Sequence, residues 1–394
     1  MSVAPLPAST DPWTWSADDV AHMAEALSLA SRGLRGANPL VGAVAVGRDG
    51  SILATGHHRG AGTAHAEADA IASAERAGAD LRGATMFVTL EPCNHTGRTG
   101  PCAQALIRAG VESVVYAIDD PHSAAAGGAQ TLRAAGVEVK SGLLADRAEE
   151  LNERWLAAVR GRRPFVTLHM AQTLDARIAA DDGTSQWISS PESLADNHAI
   201  RSRIDAILVG TETVLVDNPR LTARDGDGTL LPSQPLRVVM GLRDVPEGAA
   251  VRGTDGRFHH VRTQDPAAAL AELFDLGVRH LMVEGGSRII AAFLAAGLVD
   301  ELIVYEAPTI LGSGKGTVSD LGIRTLADAQ HWAWDESGGG AVRRLGTDLR
   351  LHLQPATAPP RATARPTAAP PPATASPAEA GPRDTPHPSE EGHH

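Results

Sequence analysis

Residues 92–102 read Pro92-Cys93-Asn94-His95-Thr96-Gly97-Arg98-Thr99-Gly100-Pro101-Cys102, and this one stretch holds both cysteines of a 394-residue chain. Two thiols cannot build a disulfide framework, so the expected compartment is reducing and cytoplasmic. The apolar run 84–90 reads as a strand that delivers Cys93. Pro101 marks the start of a helix over residues 101–109, where the helix dipole favours a thiolate at Cys102. A cysteine leaving a strand and another entering a helix place the stretch at a strand-to-helix junction of an α/β layer.

The flanking sequence keeps the same alternation. Ser16 with Asp19 resembles a capping box ahead of the stripe Val20, Met23, Ala24 and Leu27, which ends at Gly33. Residues 40–46 and 52–56 read as short strands, 65–77 as a helix, 113–118 as a strand and 129–135 as a helix. A longer amphipathic helix spans 145–160. Gly161-Arg162-Arg163-Pro164 reads as a linker, and the alternation then restarts. Residues 165–171, 206–210, 236–240, 280–283 and 301–305 read as strands; 191–203, 267–276 and 287–296 read as helices.

From residue 355 onward 11 of 40 residues are proline, with Ala, Thr, Arg and Glu making up most of the rest. Such material buries too little apolar surface to offset its ordering entropy, so 355–394 is expected to be disordered. Residues 1–15 are also expected to be loose. The composition is 43% hydrophobic and 21% charged, that of a globular protein. No run of about 18 apolar residues suggests a membrane helix. The first residues lack the basic and apolar regions of a secretory signal. A net charge of −12 argues against nucleic acid or an anionic membrane as the partner. It leaves room for a small anionic ligand held by local arginines.

Upstream of the cysteines stands His65-Ala66-Glu67. A catalytic zinc takes imidazole and thiolate ligands from three protein residues and keeps one position for water. His65, Cys93 and Cys102 supply that set, and Glu67 is left over as a proton shuttle. The layout is that of the zinc-dependent base deaminases, H-x-E followed by paired cysteines, here eight residues apart instead of two. Lone cysteines are most often small buried hydrophobes, and a structural zinc site uses four protein ligands. Three ligands and one spare carboxylate favour catalysis over both. His22, His57 and His122 are expected on the surface.

Asn38-Pro39-Leu40-Val41-Gly42, His65-Ala66-Glu67, Thr89-Leu90-Glu91-Pro92-Cys93 and the stretch 95–102 resemble the bifunctional riboflavin-biosynthesis deaminase/reductase family. The resemblance implies zinc on His65, Cys93 and Cys102, and Glu67 as proton donor and acceptor. It also implies substrate contacts from Asn38, His58, His95 and Arg98. Where that family often continues His-Ala-Glu with Val-His, this chain has Ala68-Asp69.

In the second half Val283-Glu284-Gly285-Gly286-Ser287 reads as strand, Gly-rich turn and helix, a geometry that holds phosphate on backbone N–H groups. It lacks the full dinucleotide fingerprint, and a ligand-free turn accounts for it equally well. Val209-Gly210-Thr211 is a second such turn. Asp217-Asn218-Pro219 is locally an ordinary turn. Thr173-Leu174-Asp175, Ser185-Gln186-Trp187-Ile188-Ser189, Gly210-Thr211-Glu212-Thr213-Val214, Asp217-Asn218-Pro219-Arg220-Leu221-Thr222 and Ala307-Pro308 follow the order of the family's reductase domain. That likeness implies NADPH contacts from Ala171, Trp187, Thr213, Asp217 and Gly286 onward. It implies substrate contacts from Ser185, Arg201, Leu221, Arg224 and Glu284. Two positions depart from the family pattern: His169 stands where a Lys is usual, and Ala176 where a Gly is usual.

The expected architecture is therefore α/β throughout. An N-terminal cytidine-deaminase-like α/β/α domain occupies 16–160, a C-terminal dihydrofolate-reductase-like α/β domain 161–354, and a Pro/Ala-rich tail 355–394. The expected activity is zinc-dependent deamination of 2,5-diamino-6-ribosylamino-4(3H)-pyrimidinone 5′-phosphate, then NADPH-dependent reduction of the ribosyl to a ribityl chain. The family implies a homodimer or homotetramer. Rival readings are a paralogue acting on a related pyrimidine or pterin-like nucleotide, and a non-catalytic nucleotide-binding protein with structural zinc.

Overall fold

A computed structural model of the chain describes residues 13–34, 36–60, 62–94, 100–121, 127–336 and 339–356. The expected tail, apart from its first two residues, and most of the expected loose N-terminus lie outside the described residues.

The first half opens with α1 (Ala17–Ala30), capped by the reciprocal Ser16–Asp19 pair read from the sequence. It continues through β1 (Gly42–Val46), β2 (Ile52–His57), α2 (Ala66–Ala77), β3 (Thr85–Leu90), α3 (Cys102–Ala109), β4 (Ser113–Ile118), α4 (Gly128–Ala134), β5 (Glu138–Ser141) and α5 (Ala145–Gly161). The strands form one sheet in the order β2-β1-β3-β4-β5. β1 runs antiparallel to both β2 and β3, whereas β3, β4 and β5 are parallel.

Strand residues alternate between faces, so Ala43, Ala45, Met86, Val88 and Val114 pack under α2, α3 and α4. Val44, Val46, Phe87 and Val115 pack under α1 and α5. The result is a three-layer α/β/α sandwich. Both parallel strands β3 and β4 end at one edge, where loops in an open α/β sheet carry ligand sites.

The second half contains β6 (Phe165–Thr173), β7 (Arg177–Ala179), α6 (Pro191–Arg201), β8 (Ala206–Gly210), α7 (Thr211–Asp217), β9 (Leu236–Met240), β10 (Phe258–Val261), α8 (Pro266–Asp275), β11 (His280–Glu284), α9 (Ser287–Ala295), β12 (Glu301–Ala307), β13 (Lys315–Gly316), β14 (Trp332–Trp334), β15 (Val342–Leu345) and β16 (Asp348–Pro355). The main sheet runs β10-β9-β8-β11-β6-β12-β16-β14, with β15 also on β16. The first six strands are parallel, and β16 turns the edge antiparallel. β6 sits in the middle, and the register places His169 directly opposite Glu284 of β11.

Both sheets belong to one compact unit that ends at Pro355. α5 runs out of the first half into the second. Its Arg154 pairs with Glu301 of β12 at 2.7 Å, and the same guanidinium lies 5.5 Å from the Phe165 ring. Trp155 on α5 donates Nε1–H to the Ala37 carbonyl at 3.1 Å. The expected linker is short and fixed. Arg162 closes α5 with a positive φ of 50°, and Arg163 forks onto Asp300 with two contacts of 2.6 Å.

Candidate functional site

The N-terminus of α2 is set by backbone contact. A Cβ on Gly56 of β2 would lie 2.3 Å from the Ala66 carbonyl, so only glycine lets the helix approach this closely. His65 is the N-cap residue of α2, and its side chain caps nothing. It turns instead to the cysteines: Nδ1 lies 3.5 Å from Cys93 Sγ and 3.4 Å from Cys102 Sγ. The Cys102 backbone N–H points at Cys93 Sγ at 3.4 Å, as expected where a helix begins. The three donor atoms lie within 4.8 Å of one another. Two thiol sulfurs and one imidazole nitrogen, with no fourth protein donor in the group among the described residues, fit a zinc ion that keeps one position open.

Cys102 hydrogen-bonds to Cys93, and together with His65 this holds the Cys93 thiol well below its ordinary value. Cys102 is pushed above its ordinary value by its hydrogen bond to Cys93 and by burial. His65 is raised by its bond to Cys93. Glu67 is 3% exposed, and burial pushes its carboxyl up to about 7.

His65, Glu67 and Cys93 open into a cavity of about 340 Å³ whose wall also includes Asn38, His58, Glu91 and Asp120. His58 Nδ1 meets the Ala64 carbonyl at 2.9 Å and Nε2 meets Asn38 Nδ2 at 3.0 Å. That pairing assigns the proton to Nδ1 and leaves the Asn38 carbonyl oxygen for another donor. Burial lowers the His58 pKa, which keeps the ring neutral. Asp69, which had no reading in the sequence, clamps the loop before α2. Its carboxylate takes the Arg59 fork at 2.9 and 3.0 Å and the His57 N–H at 3.1 Å. Glu91 likewise accepts N–H bonds from Gly127 and Ala129 and anchors α4 to the site. His95, Arg98 and His122 lie outside the described residues. His22 and His57, expected on the surface, are half-buried, His22 against the Phe87 ring.

The second site lies at the C-terminal ends of β6, β8 and β11, again the ligand edge of a parallel sheet. A cleft of about 540 Å³ is walled by Ala171, Ser185, Trp187, Arg201, Thr213, Asp217, Leu221, Glu284 and Gly286, which are all the expected reductase residues except Arg224. Arg224 lines an adjoining cavity that shares Trp187, Arg201, Asp217 and Leu221 with it. Gly285 and Gly286 have positive φ values of 87° and 61°, and a Cβ on Gly286 would sit 3.3 Å from Thr213 Oγ1. The turn thus leaves a cradle before the N-terminus of α9, where anionic groups are favoured. Trp187 stands 72% exposed at the rim.

Glu284 is the hub. Arg201 grips it in two places, Asn197 donates to Oε1 at 2.9 Å, and His169 Nδ1 lies 3.6 Å away. Burial alone would raise this carboxyl, but the Arg201 charge and the hydrogen bonds from Arg201 and Asn197 hold it down to about 2. Arg201 and Glu284 are both among the substrate contacts that the family likeness implies. The structure pairs them with each other and leaves Arg224 as the open cation, depressed by burial and by the charges of Arg201 and Arg220. Asn197 escaped the sequence reading, though it stands four residues before Arg201 on the same helix face. His169 is buried, its pKa lowered by desolvation, and its Nε2 has no hydrogen-bond partner among the described residues. Ala176 has a φ of 57°, so a left-handed residue stands there, exposed and away from the cleft wall.

A model of the RibD C-terminal domain matches residues 164–337, and a model of the cytidine and deoxycytidylate deaminase zinc-binding region matches residues 16–118. The chain is 44% identical over 340 residues to a riboflavin biosynthesis protein RibD of Mycobacterium tuberculosis, covering 86% of this chain and 97% of that one. It is 38% identical to the Escherichia coli RibD, covering 85% and 99%. A crystal structure from Thermotoga maritima, a diaminohydroxyphosphoribosylaminopyrimidine deaminase/5-amino-6-(5-phosphoribosylamino)uracil reductase, superposes with a TM-score of 0.73 at 32% identity, over 85% and 98% of the two chains. An Acinetobacter baumannii RibD superposes at 0.76 with 33% identity, over 86% and 99%.

Proposed function

The chain belongs to the RibD family of riboflavin-biosynthesis proteins, and from that premise we propose how its two sites divide the work. It is a bifunctional enzyme with a deaminase half and a reductase half, and the paralogue and non-catalytic readings are not favoured. The deaminase domain spans 16–160 and the reductase domain 161–354. No helix among the described residues is long and apolar enough to cross a membrane.

The first site acts on diaminohydroxyphosphoribosylaminopyrimidine and releases its exocyclic amine as ammonia. His65, Cys93 and Cys102 hold zinc, which when bound supplies a Lewis acid that lets water ionise near neutral pH. Glu67 takes a proton from the attacking water, then returns it to the departing amine. A carboxyl held near neutrality can do both, because neither form is strongly disfavoured. Asn38 and His58 orient the pyrimidine through the fixed pattern of one carbonyl acceptor and one committed imidazole. His95 and Arg98 complete the substrate contacts.

In the second site NADPH, when bound, supplies the hydride. Gly286 and Thr213 form the cradle for its phosphates, and Ala171, Trp187 and Asp217 line the approach. Arg224 receives the substrate phosphate. Ser185, Leu221 and the Arg201–Glu284 pair shape the substrate side. The buried Nε2 of His169 offers one further polar contact to a ribosyl hydroxyl. The enzyme acts as a homodimer or homotetramer.

The observation that carries this reading is Glu67, buried in the same cavity as a three-donor cluster, where a structural metal site has no use for it. The test is to incubate zinc-loaded protein with the diaminopyrimidine phosphate and follow ammonia, then to add NADPH and follow its oxidation. Ammonia release that persists after the metal is chelated would sink the first assignment. A deaminated product that leaves NADPH unconsumed would sink the second.

A further inference from the structure

Arg279 belongs to the second sheet, immediately before β11, yet its side chain lines the deamination cavity beside Asn38, His58 and Glu67. The turn that carries it is seated on the first half. A Cβ on Gly277 would lie 3.8 Å from the Ala37 side chain, and one on Gly36 would lie 3.2 Å from Asp205 Oδ1. The other Asp205 oxygen accepts the Arg279 and His280 backbone N–H groups at 2.8 and 2.9 Å.

The guanidinium is held in place before any ligand arrives. Nη1 donates to the Phe274 and Val278 carbonyls at 2.8 and 3.0 Å, and the group lies 3.9 Å from the Phe274 ring centre. Among the described residues Arg279 makes no ion pair, and nothing takes up Nε and Nη2. Asp205 and Asp275 act on it only through space. The described cavity wall otherwise carries the carboxyl groups Glu67, Glu91 and Asp120, and no other guanidinium or ammonium. Three acids repel a phosphate ester, and Arg279 is the cation that the described wall sets against them. The open edge of an arginine fork matches a phosphate with two parallel N–H bonds.

We propose that Arg279, a residue of the reductase half, is a substrate-binding residue of the deamination pocket and grips the phosphate end of the pyrimidine substrate. The proposal rests on the deamination reading above. It makes the first site incomplete without the second half of the chain.

The test uses the full zinc-loaded chain, wild type, R279M and R279K. Ammonia release is measured on the phosphorylated substrate and on its dephosphorylated counterpart, with NADPH oxidation followed in the same preparations. For R279M the KM of the phosphorylated compound should rise about ten-fold or more with kcat little changed, the worth of a charged hydrogen bond. Turnover of the dephosphorylated compound should be unchanged, and R279K should recover part of the loss. An equal loss on both compounds, or no loss on either, overturns the proposal. If R279M also loses NADPH oxidation, R279K decides: a phosphate-selective rise in KM supports the proposal and an unselective one overturns it. Wild-type protein that releases no ammonia from either compound overturns the deamination reading, and this proposal with it.

Discussion

Arg201 and Glu284 meet as a two-point pair, Nε to Oε1 at 3.1 Å and Nη2 to Oε2 at 2.5 Å, with both side chains only 12% exposed. Taking away one partner strands the other charge in a poorly solvated place, at a cost of about 3–5 kcal/mol. Glu284→Gln should lower the urea midpoint accordingly and depress NADPH oxidation. Its carboxyl titrates at about 2 in the folded chain against an ordinary 4.5. A depressed acid stabilises the fold above its unfolded pKa, and that stability drains away as pH falls through the folded value. Wild type should therefore lose stability between roughly pH 5 and pH 2 through this group, and E284Q should lack that component. Superimposable pH–stability curves for the two would contradict the assignment.

Glu67→Gln keeps the size and hydrogen bonding of the side chain and removes its capacity to carry a proton. Ammonia release should fall about 10²- to 10⁴-fold. Bound zinc should stay at wild-type stoichiometry, and NADPH oxidation on already deaminated substrate should stay at the wild-type rate. An unimpaired deaminase would end the role given to this residue.

Ala176 occupies the left-handed region at a φ of 57°, on an exposed turn away from the cleft. That backbone costs an L-residue about 1–2 kcal/mol. Glycine removes the cost but gives up roughly 0.4–1 kcal/mol through a freer unfolded chain. Ala176→Gly should thus stabilise the protein by about 0.5–1 kcal/mol with reductase kinetics unchanged. A destabilised variant, or one with altered KM, would show that the methyl group has another role.

His169 is neutral by burial and lines the reductase cleft, and its Nε2, itself buried, has no hydrogen-bond partner among the described residues. Replacing it with Leu keeps the volume roughly constant and deletes the polar atom. The KM for the pyrimidine substrate should rise about three- to ten-fold, the worth of one neutral hydrogen bond, with the KM for NADPH unmoved. A matching rise in both constants would place the effect in the packing of β6.

The three-donor cluster of the first half was legible in the sequence because its members sit at local junctions. His65 enters a helix, Cys93 leaves a strand and Cys102 enters another helix, each marked by short-range pattern. The parallel strands β8 and β9 were legible for a similar reason, since β8 is a continuous apolar run and β9 is one apart from Arg237. β16 was not read as a strand because its polarity is inverted. Asp348 and His352 are buried while Leu349 is exposed, so the two-residue alternation points the wrong way for a core strand. α7 escaped because seven residues rich in Thr and Val have weak helix propensity. The Arg201–Glu284 pair joins residues 83 apart, and no local pattern reports such a partner. The same holds for Arg279 at the far site.

The helix that crosses from one half to the other has a consequence for any attempt to produce the activities as separate proteins. Glu301 is buried, and its carboxyl is held well below the usual range by its bond to His352 and by Arg154 across the junction. A reductase fragment cut at Pro164 keeps the carboxylate and leaves the guanidinium behind on the other piece. Such a fragment keeps Thr167 and His352 on this carboxylate but loses its guanidinium, a penalty of about 3–5 kcal/mol. Splitting this enzyme is therefore a redesign of one buried charge, beginning with Glu301→Gln, more than a choice of where to place a stop codon.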